Sequence, residues 1–288
     1  MLILHLLSRF PGAGHGRHMS SFQLSADDLT ALNSGGSAAV EVLRSVCLSS
    51  MQKWRPPEWS DVTIPWEVER HAFQLAAVLA RTGPKGTLCD VGGGWGHFAA
   101  TAATIGMKTV CIDCMPITEQ DPRVGMSRDY GFELRIQDVV DSSLDFQDET
   151  LDAFVSFDCI EHLHHSPKQF YRQAVRALRP GGVFFLGAPN CVNMRKRLGV
   201  PLGKGSWSTM QRWYEQPRFY DHVREPDVGD LLYIARDLGL TDVQTFGRNW
   251  QGYYSTPLMR SVTRIVDLPL RLFPSLCSDI YMIGTKPR

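Results

Sequence analysis

The chain has 288 residues, of which 43% are hydrophobic and 21% are charged. These values lie close to the globular average and exclude wholesale disorder, a collagen-like chain and a coiled coil. Thirty basic residues balance thirty acidic ones, which disfavours a protein that works by neutralising nucleic-acid phosphates, so no nucleic-acid partner is expected. Seven scattered cysteines indicate a reducing compartment rather than a disulfide scaffold, and we expect a cytoplasmic protein.

The N-terminal part of the chain divides into two predicted regions. Residues 1–36 are rich in glycine, serine and histidine and are expected to form a mobile leader with a short helix from Ser25. Residues 37–84 hold two helical patterns, the second of which starts at Pro65 and ends near Gly83. We predict that these two helices form an N-terminal helical cap.

From residue 85 to residue 288, short apolar strands alternate with helices, which predicts βαβ units around a mostly parallel sheet. One of the helices is expected to start with Ser166 as its N-cap and Pro167 as its first residue. Strands are expected at residues 87–91, 109–112, 133–136, 153–157, 183–187, 242–246 and 279–284.

The alternation stops after Asn190, over a stretch far longer than a usual connection. We predict that residues 191–226 form a lid insertion within the α/β domain. The lid carries basic and aromatic residues that could hold an acceptor molecule: Arg195, Lys196, Arg197, Trp207, Trp213, Tyr214, Phe219 and Tyr220.

A glycine-rich turn between the first strand and the next helix is the strongest local motif. Gly92, Gly94 and Gly96 would let a ligand approach the backbone closely beside the helix N-terminus. Residues 94–99 also satisfy the dinucleotide fingerprint, so an NAD(P)-dependent oxidoreductase stays an alternative. However, the Asp90 carboxylate lies two residues before the first glycine and would repel a pyrophosphate, so it suits a ligand that is cationic or zwitterionic there.

Two further acids end the second and third predicted strands. Asp113 can accept both hydroxyls of a ribose, and Asp138 can accept an amino proton of adenine. Each alone is more often a helix cap or a solvated turn residue. Together with Asp90 they describe a pocket for a ribosylated adenine that carries a charged amino-acid tail.

These motifs, in this order, resemble the class I S-adenosylmethionine-dependent methyltransferases over about residues 86–187. The resemblance implies S-adenosyl-L-methionine as the cofactor and a doubly wound, Rossmann-like sheet of seven strands whose last strand is antiparallel. It is carried by Asp90-x-Gly92-x-Gly94-x-Gly96, Asp113, Asp138, Leu151-Asp152-Ala153-Phe154-Val155-Ser156-Phe157 and Ala177-Leu178-Arg179-Pro180-Gly181-Gly182.

The segment after the fourth strand is similar to the Glu-x-x-Glu-His pattern of the ubiquinone-biosynthesis O-methyltransferases. That similarity implies a divalent cation, Mg²⁺, held by Asp158, Glu161 and His162 near the acceptor oxygen, with Asp158 also beside the cofactor. Asp158 departs from the pattern because it has a shorter arm than glutamate. The alternative is a helix start packed beside the cofactor without metal. His162 is the predicted general base, and His222 in the lid is its rival.

The sequence therefore predicts a methyltransferase that acts on oxygen of a small-molecule, sugar or lipid-linked acceptor. A catalytically silent cofactor-binding module is a further alternative, since it would keep the same pocket. The amphipathic stretch from Leu258 to Leu272 carries arginines and could lie on a membrane surface. We expect instead that its apolar face packs on the sheet, because a strand must follow it.

Overall fold

The computed structural model describes residues 24–56, 59–204, 208–215, 217 and 219–288. Most of the predicted leader, residues 1–23, and the lid residue Trp207 lie outside these described residues. The chain forms two compact units, the first ending at Ile136 and the second comprising Gln137–Arg288. No helix among the described residues has the length and apolar character needed to cross a bilayer.

Unit 1 begins with three helices and continues with three strands. Ser25 caps the first helix, because its side chain accepts a hydrogen bond from the Asp28 amide and its own amide donates one to the Asp28 carboxylate. The third helix begins two residues before the predicted Pro65, which is tolerated within a first helical turn. The elements are α1 (Ala26–Ser34), α2 (Gly36–Lys53), α3 (Thr63–Thr82), β1 (Thr87–Val91), α4 (His97–Thr104), β2 (Lys108–Asp113), α5 (Pro122–Tyr130) and β3 (Glu133–Ile136).

Unit 2 contains four strands and the helices between them, with short 3₁₀ turns at Ile160–His162, Val200–Leu202 and Pro274–Leu276. The Asp227 side chain accepts from the Asp230 amide and so caps the helix after the lid. The elements are β4 (Leu151–Phe157), α6 (Lys168–Ala177), β5 (Leu178–Pro189), α7 (Met194–Gly199), α8 (Met210–Glu215), α9 (Val228–Asp237), β6 (Thr241–Arg248), α10 (Trp250–Tyr253), α11 (Pro257–Leu270) and β7 (Asp279–Thr285).

The strand order is β3-β2-β1-β4-β5-β7-β6. Strand β2 pairs in parallel with β1 and β3, and β4 pairs in parallel with β5, whereas β7 runs antiparallel to both β5 and β6. The prediction of a seven-stranded, Rossmann-like sheet with an antiparallel last strand is therefore confirmed.

Two local predictions around α6 are wrong. Pro167 is the N-cap rather than the first helical residue, and the Ser166 hydroxyl accepts a hydrogen bond from the Lys168 amide at 3.3 Å. Strand β5 starts at Leu178, directly after α6 and five residues before the predicted start at residue 183. The reason is long-range pairing, since Gly181 donates to the Lys286 carbonyl and the Lys286 amide donates to Gly182, both at 2.9 Å.

The expected packing of α11 is also wrong. Its buried residues are the polar Thr263 and Asp267, whereas Leu258, Ile265 and Leu268 are exposed to solvent. Hydrogen bonds to the buried carboxylate of Asp267 outweigh the tendency of the apolar side to turn inward.

Gly125 in α5 tests how tightly unit 1 is packed. A Cβ atom at this position would overlap the indole ring of Trp54. Alanine raises helix propensity by about 1 kcal/mol, but overpacking costs about 1–3 kcal/mol. Gly125→Ala is therefore expected to lower the free energy of unfolding, measured by urea denaturation.

The same substitution in a Trp54→Ala background should raise the free energy of unfolding, because the overlap is gone and only the propensity gain is left. Destabilisation of equal size in both backgrounds would contradict this packing.

Candidate functional site

The glycine-rich turn joins β1 to α4 and has the conformation that the sequence predicts. Gly92, Gly94 and Gly96 have φ values of 76°, 52° and 85°, a region that side chains with a Cβ rarely enter. Gly93, which was not among the predicted glycines, lets the turn pack closely against the side chains of Cys111 and Asp90. A Cβ there would overlap Cys111 Sγ and lie 2.9 Å from Asp90 Oδ2.

Asp90 is the most unusual charged group in unit 1. Its residue is 2% exposed, and Oδ2 has no hydrogen-bond partner among the described residues. Burial, and secondarily the charge of Asp113, raises the pKa of Asp90 to about 7. A cationic ligand group would compensate this carboxylate, whereas a phosphate would add a second negative charge.

Asp113 ends β2, and both of its carboxylate oxygens hold backbone amides. Oδ2 accepts from the Gly94 amide at 2.9 Å, and Oδ1 accepts from the Met115 amide at 2.8 Å. These bonds fix the side chain against the glycine-rich turn. Each oxygen keeps a further acceptor position, so the carboxylate can still bind hydroxyl groups.

Asp138 belongs to unit 2 and is exposed. Its Oδ1 accepts from the Val140 amide at 3.0 Å and closes a local turn. Its position after β3 matches the sequence prediction, and the turn gives it a structural role as well.

In unit 2, a 3₁₀ turn after β4 carries the predicted acidic and histidine residues. Asp158 has a φ of 48°, and Glu161 is fully buried. His162 Nδ1 donates to the Tyr220 carbonyl at 2.9 Å, because a carbonyl oxygen can only accept. That bond defines the neutral tautomer, in which Nε2 is the proton acceptor.

The lid places His222 beside His162. The rings of His162 and His222 lie with centroids 4.9 Å apart and nearly perpendicular. His222 Nδ1 lies 2.8 Å from Glu225 Oε1, and the Val223 amide donates to the Glu161 carbonyl. Both histidines that the sequence proposed as bases therefore belong to one cluster.

The side chains of Glu161, His162 and His222 each offer one ligand atom, and these atoms lie within 4.8 Å of one another. The predicted metal ligand Asp158 is not in this group, and His222 stands in its place. Two imidazoles and one carboxylate suit Zn²⁺ or a similar transition metal, whereas Mg²⁺ prefers oxygen ligands. The Mg²⁺ expectation is therefore not supported.

Partial burial and, to a smaller extent, the neighbouring His222 lower the pKa of His162 below its usual value of 6.5. The imidazole is thus neutral at pH 7 and able to accept a proton. The cluster borders a cavity of about 640 Å³ in unit 2, whose walls come from the lid and from His164. The lining residues are His164, Ser208, Thr209, Met210, Trp213, Phe219, His222 and Val223.

The raised pKa of Asp90 makes a testable contribution to stability. The folded state holds this proton more tightly than the unfolded chain, so the contribution is complete below about pH 4 and is lost as the pH rises to about 7. Between about pH 5 and about pH 8, the ligand-free wild type is expected to lose more free energy of unfolding than Asp90→Asn. Urea denaturation at both pH values measures the difference, and parallel pH dependence of the two proteins would contradict the buried, uncompensated carboxylate.

Comparisons with known proteins agree with this architecture. Residues 89–186 match the family model described as a methyltransferase domain. A protein of Mycolicibacterium smegmatis described as a probable S-adenosylmethionine-dependent methyltransferase is 29% identical over 158 residues, which are 55% of this chain and 53% of that protein. The chain thus spans about half the length of this relative.

Two solved structures show the same fold. Phosphoethanolamine N-methyltransferase 2 of Haemonchus contortus, in complex with S-adenosyl-L-methionine, has a TM-score of 0.53 at 16% identity, covering 84% of this chain and 57% of its own. A SAM-dependent methyltransferase from Archaeoglobus fulgidus has a TM-score of 0.52 at 15% identity, covering 82% and 97%. The ubiquinone-biosynthesis subgroup is not confirmed by these relatives. Over residues 89–186 the chain is thus similar to S-adenosylmethionine-dependent methyltransferases.

Proposed function

We propose that the protein transfers a methyl group from S-adenosylmethionine to an oxygen atom of a small-molecule, sugar or lipid-linked acceptor. The methyltransferase domain supports the class of reaction. The observation that supports an oxygen acceptor is the neutral imidazole of His162. Its Nδ1 donates to the Tyr220 carbonyl, so its Nε2 is the nitrogen that can act as a base.

In this proposal, unit 1 binds the methyl donor. The buried Asp90 carboxylate accepts the ammonium group of the methionine part, and this contact returns the charge compensation that the free protein lacks. Asp113 binds the ribose hydroxyls. The adenine contact expected of Asp138, a residue of unit 2, stays a prediction from the sequence. Since Asp90 would oppose a pyrophosphate, the site favours S-adenosylmethionine over a nicotinamide dinucleotide.

In unit 2, the chain's own task is to orient the acceptor and take its proton. S-adenosylmethionine supplies a methyl group already activated on a sulfonium, so alignment and exclusion of water are the main requirements. The acceptor hydroxyl oxygen forms the new bond to the methyl carbon as the carbon–sulfur bond breaks. His162 Nε2 takes the hydroxyl proton, and the products are a methyl ether, S-adenosylhomocysteine and a protonated His162 that returns its proton to solvent.

The lid supports this arrangement through its contacts with the 3₁₀ turn. Tyr220 orients His162, and the Phe219 carbonyl accepts from His164 Nε2 at 3.0 Å. Lys196 and His222 both contact Glu225. The pKa of Glu225 is lowered despite its burial, because the hydrogen bonds from His222 and Lys196 favour the carboxylate. The cavity beside His222 is the proposed acceptor pocket.

Cofactor binding is tested by Asp113→Ala. Loss of charge-assisted hydrogen bonds is expected to weaken S-adenosylhomocysteine binding by about 1–3 kcal/mol in isothermal titration calorimetry. Glu119→Ala is the control, since this exposed residue lies just beyond the same strand. Unchanged affinity of Asp113→Ala would refute the role of Asp113.

Catalysis is tested with radiolabelled S-adenosylmethionine and a panel of phenols, sugars and polyprenyl-linked sugars. With the first acceptor that turns over, His162→Gln is expected to lower kcat by about 10²–10⁴-fold and to leave cofactor affinity unchanged. The exposed His165→Gln is the control. In the wild type, kcat should fall on acidification with a midpoint below pH 6.5, because the base is lost when His162 is protonated.

Two results would contradict the proposed base. Equal kcat values for His162→Gln and wild type would remove His162 from the chemistry. Loss of activity on dialysis against EDTA, with recovery on adding Zn²⁺, would assign the Glu161–His162–His222 cluster to a metal ion instead. Cofactor binding without turnover on any acceptor would favour the catalytically silent module.

A further inference from the structure

Helix α11 has the reverse of the polarity that is normal for a surface helix. A surface helix usually buries its apolar side and exposes its polar side. In α11 the buried residues are Thr263 and Asp267, whereas Leu258 is 73%, Ile265 76% and Leu268 66% exposed. We call six exposed apolar side chains in α11 and just after it the α11 surface: Leu258, Val262, Ile265, Leu268, Leu272 and Phe273.

The inward polar side is bound too firmly for the helix to rotate. Asp267 accepts from Asn249 Nδ2 at 2.9 Å and from the Tyr253 hydroxyl at 3.2 Å, and it forms an ion pair with Arg271. Turning the apolar residues inward would strip a buried carboxylate of these donors. The buried hydrogen bonds of Asp267 therefore keep the α11 surface exposed to solvent.

A second group of exposed apolar side chains, which we call the lid strip, is linked to the end of α11. Leu198, Val200 and Leu202 of the lid are 64%, 57% and 76% exposed. Arg197 in α7 donates to the Ser275 carbonyl at 3.3 Å, within the 3₁₀ turn that follows α11. This contact ties the lid strip to the end of α11.

The charges around the α11 surface are positive. Arg264 is exposed and lies one turn before Leu268, the half-buried Arg260 lies one turn before Arg264, and the acid of α11, Asp267, is buried and paired with Arg271. Apolar side chains flanked by arginines are the pattern that inserts at the boundary of an anionic lipid layer. A second copy of the chain would place arginine against arginine, so its charge is not complementary.

We propose that the α11 surface and the lid strip dock on an anionic lipid membrane. The apolar side chains enter the boundary between head groups and acyl chains, and Arg260 and Arg264 contact the lipid phosphates. Docking does not depend on methyl transfer. A narrower consequence, which rests on the proposed function, is that the acceptor is lipid-linked and reaches the lid cavity from the membrane.

The test is co-sedimentation of the full chain with vesicles, without cofactor or acceptor. The wild type is expected to sediment with vesicles of equimolar phosphatidylglycerol and phosphatidylcholine, and far less with phosphatidylcholine alone. The double substitution Ile265→Asp and Leu268→Asp should lower the bound fraction about tenfold or more. Tyr233→Asp is the matched control, since Tyr233 is a large side chain on α9 that is 65% exposed. Because the altered side chains are exposed, circular dichroism should show all variants folded.

Several results would overturn the docking proposal. Failure of the wild type to sediment with either vesicle, or binding by the double variant as strong as that of the wild type, would remove the α11 surface from lipid contact. A wild-type dimer that the double variant converts to a monomer, with no vesicle binding, would assign the surface to a second copy. Vesicle binding with no turnover on any lipid-linked acceptor would refute the narrower consequence and leave docking intact.

Discussion

The buried carboxylate of Asp90 is the constraint on which the rest of the proposed cofactor site depends. Its burial follows from the position of β1 and from the close packing of Gly93 against Cys111 and Asp90 itself. A carboxylate in this setting is stabilised either by a proton or by a positive ligand group. The ligand-free fold thus already favours a positively charged ligand group over a negatively charged one at Asp90. That preference separates S-adenosylmethionine from a dinucleotide, although both ligands use a glycine-rich turn at the N-terminus of a helix.

In unit 2, the orientation of His162, the proposed base, depends on contacts with lid residues. Tyr220 fixes the tautomer of His162, and the Glu161 carbonyl accepts from two successive lid amides, Val223 and Arg224. An open lid would therefore leave His162 without the bond that directs its Nε2. In the proposed mechanism, proton acceptance by His162 would therefore depend on these lid contacts.

Much of the sheet could be predicted from the sequence because most of its strands have an apolar run bounded by polar residues. The acids at positions 90 and 113 could be found for the same reason, since they lie at the carboxyl ends of those runs. Features that depend on distant partners could not be predicted. The extension of β5 needs Lys286, the cluster at Glu161 needs His222, and the polarity of α11 depends on Asn249 and Tyr253. In each case, tertiary hydrogen bonds decide against the local pattern.

The most direct measurement is calorimetric titration of the wild type and Asp90→Asn with S-adenosylmethionine and, separately, with NAD⁺. The account predicts that the wild type binds S-adenosylmethionine, that binding weakens as the pH falls below about 7, and that the variant binds weakly at every pH. It predicts no binding of NAD⁺ by the wild type. Tight NAD⁺ binding, or equal affinity of both proteins for S-adenosylmethionine, would contradict the electrostatic basis of the site.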